Sequence, residues 1–351
     1  MQKIKNIRTV SQQLSNQKFT NPKDVVAWMG AIQAQEYNMA KWAVGIRTKN
    51  ATLQLVDEAL SRGDILRIHL LRPTWHFVTP ENIRWMLQLS AQRIKSAFAS
   101  YNRKMEITES MLIQTNRLIE KLLEGNKSLT REEIGIEFSK TGIEVDNPRM
   151  NHFMMYAETE GIVCSGIDKN KKPTYSLLDE RVPPAAPLHK EEALAKLALI
   201  YFQSHSPATP HDFVWWSGLS LTESRQAISS IKDKLIEEQI NERTFYIHEH
   251  FGKITETPQI AHLLPSFDEY LISYKDRTAV LDMEHHPKAF TNFGIFYPVV
   301  MHRGQIIGNW KKSVKKNSIN LDIKTFEPDT PVNKNMLESA KNKYRKFMQN
   351  Y

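Results

Sequence analysis

A chain of 351 residues, 41% apolar and 25% charged, is ordinary for a globular protein of two to four domains. Its net charge of +8 permits an anionic partner without requiring one. The lone Cys164 excludes a disulfide framework and a cysteine-rich zinc site, and no apolar run reaches the roughly 18–20 residues of a membrane span.

Met1 to Lys5 is charged but leads into no apolar segment of the signal-peptide kind, so the expected location is the cytoplasm. Asn21-Pro22 starts a helix with Pro at its first position, and Val25, Val26, Met29 and Ile32 lie on one face. Next comes Gln33-Ala34-Gln35. Two residues at i and i+2 of an α-helix are about 200° apart, so both glutamines face one pocket only on extended chain. The helix is therefore predicted to end between Ile32 and Gln35. Thr52 caps the following helix and Gly63 closes it. Ile65 to Val78, broken by Arg72-Pro73, reads as strand, turn, strand. Glu81–Tyr101 and Glu109–Glu124 are long helices.

Thr130-Arg131-Glu132-Glu133 is a capping box. A helix, a second helix from Asn147-Pro148 to Gly161, and the strand Ile162–Gly166 follow. A basic tip carrying Lys169, Lys171 and Lys172 leads into the strand Pro173–Leu178. Helix, helix, strand, basic tip, strand is the order of a winged helix. It recurs from Glu191 through Thr209-Pro210 and the capping box Ser220–Glu223 to a hairpin, Leu235–Ile240 and Arg243–Ile247. Arg72-Pro73-Thr74-Trp75, Lys172-Pro173-Thr174-Tyr175 and Arg243-Thr244-Phe245-Tyr246 each place a cation, a threonine and an aromatic on a returning wing strand. Three related units without a fixed period result. Pro183–Pro187 is a linker. Val299–Trp310 reads as a hairpin, Asn320–Phe326 as a strand, and Asn333–Asn350 as a closing helix with Leu337 and Tyr344 inward. The expected fold is α+β, mainly α. Three winged-helix units span 1–105, 106–182 and 183–255, and a β-rich subdomain spans 256–351.

Serine-hydrolase elbow, Walker loop, dinucleotide fingerprint and HExxH helix are absent. The pairs His248/His250 and His285/His286 read as exposed hairpin histidines, and Cys164 as a buried inert thiol. Basic residues gather instead on wing tips and hairpins: Lys169, Lys171 and Lys172, then Lys275 and Arg277, then Lys311, Lys312, Lys315 and Lys316, with Arg93, Lys95, Arg103 and Lys104 on a helix. That placement suits phosphate contacts, against the plainer reading of a solvated basic surface.

Four blocks in order resemble the bacterial winged-helix DNA glycosylases related to the azinomycin-resistance enzyme. They are Gln33-Ala34-Gln35, Arg72–Val78, Leu263–Arg277 and Gly304–Lys311. Gln35 matches the branch of that family with two glutamines, since a sister branch has Asp there. Ser273 stands where the family has glycine, and Gly308-Asn309-Trp310 where Gly-Thr-Trp is common. The resemblance implies tandem winged helices in a C-shaped arrangement around duplex DNA. It implies monofunctional hydrolysis of the N-glycosidic bond of alkylated purines, N7-alkylguanine above all, and unhooking of interstrand crosslinks. Gln33 and Gln35 are then the catalytic residues, orienting a water. No metal or cofactor is expected, nor a membrane partner; the expected state is a monomer associated with the nucleoid. Arg72 and His76 flank one wing strand, close to the pocket or a phosphate; for His76 an interior hydrogen-bonded role is the alternative. Asp268 and Tyr270 are expected to be structural. The competing function is a non-catalytic winged-helix DNA-binding protein or regulator. Three unequal units in one chain do not build the symmetric dimer that regulators favour.

Overall fold

The computed structural model describes residues 1–315 and 318–349. The chain folds into two compact units, 58–193 and a second made of 1–57 with 194–351. The helices Leu53–Arg62 and Lys190–His205 carry the chain from one unit to the other.

The 58–193 unit opens with a hairpin, Leu66–His69 and Trp75–Val78, in the register Leu66↔Val78 to His69↔Trp75. The 25-residue helix Pro80–Lys104 follows, with Pro at its first turn, where a missing N–H costs nothing. Then come helix Glu109–Leu123, strand Leu129–Thr130, helices Arg131–Lys140 and Asn147–Thr159, and strands Val163–Ser165 and Thr174–Leu177. The last strand sits between the other two in a three-stranded sheet. The capping box at Thr130 forms: its hydroxyl accepts from the Glu133 N–H (3.2 Å) and the Glu133 carboxylate from the Thr130 N–H (2.6 Å). Ile119, Leu123, Ile134, Phe138, Phe153 and Val163 make the core, all fully buried. Cys164 is buried, and burial pushes its thiol up to about 12, so it is inert near neutrality.

The other unit begins with helices Gln2–Ser11 and Pro22–Met29, strand Ile32–Gln33 and helix Tyr37–Gly45. After the return at residue 194, helices Pro210–Ser217 and Leu221–Ser230 lead to a hairpin, Leu235–Ile240 and Arg243–His248. Ala208 exchanges both backbone bonds with Tyr246 (3.1 and 2.9 Å), adding a one-residue third strand. Helix, strand, helix, helix, hairpin thus appears here as it does in 58–193. A four-stranded sheet follows, in spatial order Ser318–Thr325, Gln305–Lys315, Val299–His302, Ala261–Leu264. Helix Lys334–Phe347 seals it. Tyr344 lies edge-on to Trp42 (5.0 Å) and packs on Trp310 (5.0 Å), and Phe347 packs on Trp42 (5.0 Å). Gly45 is the position that lets Phe347 in, since any Cβ there would strike its ring. Burying two such aromatics stabilises the seal by roughly 1.5–3 kcal/mol each. Leu337 is half-buried and Tyr344 fully so.

Two expectations need correction. The helix before the glutamines stops at Met29, not between Ile32 and Gln35. Gly30 turns the chain at φ +76°, and a Cβ on it would strike Ile200. A contact 170 positions away therefore ends the helix early. The paired histidines are not all exposed: His248 and His285 are buried at 3% and 6%, and His248 caps a short 3-10 turn by accepting from the His250 N–H (3.3 Å).

Candidate functional site

Gln33 ends the strand Ile32–Gln33, and Ala34 and Gln35 follow it, outside any helix, between helices Pro22–Met29 and Tyr37–Gly45. Gln33 is 4% exposed, whereas Gln35 is exposed, on the bend that enters the next helix. The Gln33 N–H donates to Glu269 Oε1 at 2.6 Å. Glu269 is fully buried. Its other carboxylate oxygen accepts from the Ser273 hydroxyl, and its backbone carbonyl from Gln12 Nε2 (3.2 Å). His205 Nε2 stands 3.8 Å from the same carboxylate. Burial pushes the His205 imidazole below its ordinary value; Glu269 opposes this and Arg47 adds to it. The ring is therefore neutral near pH 7, stacked on Tyr201 at 4.8 Å.

Behind this carboxylate stands a second one. Asp268 pairs with Arg47 through two bonds, Nη1 to Oδ2 at 2.9 Å and Nη2 to Oδ1 at 2.7 Å, both residues almost wholly buried. Arg47 also donates to the Gln12 carbonyl (3.0 Å), Gln12 Oε1 (3.0 Å) and the Ala43 carbonyl (3.0 Å). Asp268 caps the turn Glu269–Ile272 by accepting from the Tyr270 N–H (2.9 Å). Tyr270 Oη donates to the Gly304 carbonyl (2.8 Å), tying the turn to the sheet. Asp268 and Tyr270 are thus structural, holding Glu269 where it meets the glutamine strand. Sequence reasoning missed Glu269. The available signal was an acidic residue in an apolar run, Leu263 to Tyr274, flanked by the two residues singled out as structural.

Lys275 and Arg277 follow on the same segment. Lys275 is exposed, with its ammonium 5.0 Å from the Trp215 ring. Arg277 is 9% exposed, its guanidinium over the rings of Phe290 (4.8 Å), Phe296 (5.1 Å) and Trp215 (5.4 Å). A cavity of about 720 Å³ nearby is lined by Arg8, Arg243, Lys275 and Phe245 among others, but by neither glutamine. Lys311 and Lys312 are exposed on the sheet strand Gln305–Lys315, opposite Asp322 and Leu321. Lys316 and the Lys315 side chain lie outside the described residues.

The remaining candidates belong to 58–193. Lys169, Lys171 and Lys172 are exposed at their hairpin tip, where Lys169 pairs with Glu133 (3.1 Å). Arg72 is half-buried in the turn after Leu71, and His76 is fully buried, its Nδ1 donating to the Thr74 carbonyl (3.0 Å). Sequence reasoning also missed Glu158. Buried, it accepts from the His69 N–H (2.7 Å), His69 Nδ1 and Trp75 Nε1 (3.2 Å), fixing the end of the first hairpin.

Two helix–strand–helix–helix–hairpin modules, one with an exposed basic tip, are consistent with a protein built from winged-helix-like parts. The chain belongs to the AlkZ-like DNA glycosylase family, whose model matches residues 26–347. It is 24% identical over 309 residues to the interstrand DNA cross-link repair glycosylase of Streptomyces sahachiroi, covering 82% of this chain and 81% of that one. Its fold is similar to that of the solved Streptomyces sahachiroi DNA glycosylase AlkZ, with a TM-score of 0.83 at 19% identity, over 99% of this chain and 96% of that chain.

Proposed function

We propose that the chain is a monofunctional DNA glycosylase that hydrolyses the N-glycosidic bond of alkylated purines of the N7-alkylguanine type, with interstrand crosslinks among its substrates. An N7-alkylated guanine is already cationic. When its C1′–N9 bond breaks, the electron pair neutralises the base, so no strong general acid is required. Water then adds at C1′ and releases a proton to solvent. What the protein must supply is a placed water and stabilisation of an oxocarbenium-like carbon. Carboxamide oxygens suit the placing of water, since they accept its hydrogen bond and present the negative end of a dipole. Gln33 and Gln35 are the residues proposed for that role.

The observation that carries this reading is the anchoring of the motif. Gln33 is fixed by its backbone to the buried carboxylate of Glu269, while Gln35 is open to solvent. Glu269 is proposed as a positioning residue that also brings negative charge toward the cation of the transition state. Arg72, Lys169, Lys171, Lys172, Lys275, Lys311 and Lys312 are proposed to contact duplex DNA, mostly at phosphates. His76 and Arg277, expected from sequence to do the same, are buried and are proposed instead to support the hairpin and the ring cluster they pack in. The protein is proposed to act as a monomer, in the cytoplasm at the nucleoid.

The test is release of free base from duplex oligonucleotide carrying N7-methylguanine, followed chromatographically. Release well above spontaneous depurination is expected, and Gln33→Ala and Gln35→Ala should each lower it. No release above background leaves only the binding-protein reading. Full release by both variants removes the glutamines from the mechanism.

A further inference from the structure

Between Phe290 and Phe296 the chain makes a turn bonded to itself. The Thr291 N–H donates to the Ile295 carbonyl (2.9 Å), the Gly294 N–H to the Thr291 carbonyl (3.1 Å), and the Ile295 N–H to Thr291 Oγ1 (3.2 Å). At its tip Phe293 is 94% exposed, and Ile295 and Tyr297 are 49% and 40% exposed. Isolated apolar residues on a surface are unremarkable. Three within five residues, on a turn braced by three internal bonds, are not. The stem is braced as well. Phe290 and Phe296 stack at 5.0 Å and 21°, and the buried guanidinium of Arg277 lies over both rings. Phe296 also packs on Phe267 (6.1 Å), one residue before Asp268 and two before Glu269. The turn is therefore tied through packed rings to the segment that holds Gln33.

The neighbouring chemistry selects the partner. Exposed Trp215 carries Lys275 and Arg277 against its ring, so cations and aromatic faces run together into the stem. Interleaved cations and rings match phosphates and base faces, and apolar side chains on rigid tips enter base steps of duplex DNA as wedges. We propose that Phe293 is such a wedge: it enters the stack of duplex DNA beside the modified purine and unstacks that step, while Arg277, Phe290 and Phe296 keep the tip rigid. The inference rests on the DNA glycosylase reading above and extends it to how the lesion is exposed.

The experiment uses the full chain and a duplex with 2-aminopurine next to N7-methylguanine. The wild type should raise 2-aminopurine fluorescence on binding, and Phe293→Ala should lose at least four-fifths of that rise. Phe293→Ala should also release base from duplex about tenfold more slowly, yet from single-stranded DNA at the wild-type rate. Phe293→Trp should restore both duplex readouts. Because the side chain is almost wholly exposed, melting temperature should not move. A Phe293→Ala protein that matches the wild type in fluorescence and duplex release overturns the proposal, as does a wild type that binds without any fluorescence rise. A wild type that raises fluorescence in a Phe293-dependent way but releases no base upholds the wedge and overturns the glycosylase reading instead.

Discussion

The two units solve burial differently. In 58–193 the main cluster is apolar: six aliphatic and phenylalanine side chains are wholly buried, and Phe138 meets Phe153 edge to face at 5.9 Å, while the buried carboxylate of Glu158 sits apart, with His69 at the first hairpin. In the unit of 1–57 and 194–351 the interior holds Arg8, Arg47, Asp212, Asp268, Glu269, His205 and His262, each under 9% exposed. Charges inside a protein are weak sources of stability, because desolvation offsets most of the attraction. What they supply here is position. Arg47 is held by Gln12, Ala43 and Asp268, and Asp268 sets the turn that presents Glu269 to Gln33. A core of Leu and Ile tolerates small shifts of its neighbours; a bidentate pair does not. The larger buried charge network lies in the unit that carries the glutamines, whereas the unit that carries the basic tip of Lys169 to Lys172 buries one carboxylate, Glu158, among its described residues.

The largest effect expected from this contrast follows removal of one charge. Asp268→Ala leaves Arg47 buried without its carboxylate and should cost about 3–5 kcal/mol in urea unfolding. Arg47→Met with Asp268→Leu, removing both charges, should recover most of that loss but not the rate of base release. If the double variant is as active as the wild type, the pair does not position the site.

Much of this was legible in sequence, and the exceptions share a cause. Asn21-Pro22, Thr130, Thr209-Pro210 and Ser220 marked helix starts because caps and prolines act within one turn. The hairpins followed from alternation and turn residues. Gly30, Glu269, His248 and His285 were misjudged or missed because their surroundings come from far along the chain. Ile200 meets Gly30, residue 33 meets residue 269, and Phe326 covers His285 at 4.9 Å. Gln33-Ala34-Gln35 stood out for its pattern, but its anchoring could not be read from that pattern.

Acid should separate the two units. Burial lowers His205, His248, His262, His286 and His302 in one unit, and His152 in 58–193. His262, donating to the Leu14 carbonyl at 2.7 Å, is held at about 3. An unfolded histidine titrates near 6.5, so between about 6.5 and 3 the unfolded chain binds a proton that the native chain refuses. Stability from this group is therefore complete above pH 7 and falls on acidification, by about 2 kcal/mol at pH 5. Hydrogen exchange at pH 5 should show residues 1–57 and 194–351 opening before 58–193. His262→Gln should flatten the slope. Equal acid sensitivity of both units would break the contrast.

A smaller effect tests the charge rather than the pair. Glu269→Gln keeps an oxygen for the Gln33 N–H and a group for Ser273, so the fold should survive with a loss under about 1 kcal/mol. If the carboxylate's charge aids the cationic transition state, base release should slow about tenfold, equivalent to about 1.4 kcal/mol. A mutant that releases base at the wild-type rate would make Glu269 structural only.

The smallest effect asks whether the difference between the units extends to their hairpin turns. Both wing hairpins turn on two residues with positive φ, Asn170-Lys171 in 58–193 and Asn241-Glu242 in the other unit. Such turns favour glycine second, because only glycine adopts that backbone without a Cβ penalty. Lys171→Gly and Glu242→Gly should therefore each relieve local strain, partly offset by the greater freedom of glycine in the unfolded chain. The net gain should be about 0.5 kcal/mol in each hairpin. Equal gains would place the contrast between the units in their interiors, where long-range contacts decide it. A gain confined to the Lys171 hairpin would mean that the polar interior of the other unit strains its wing as well.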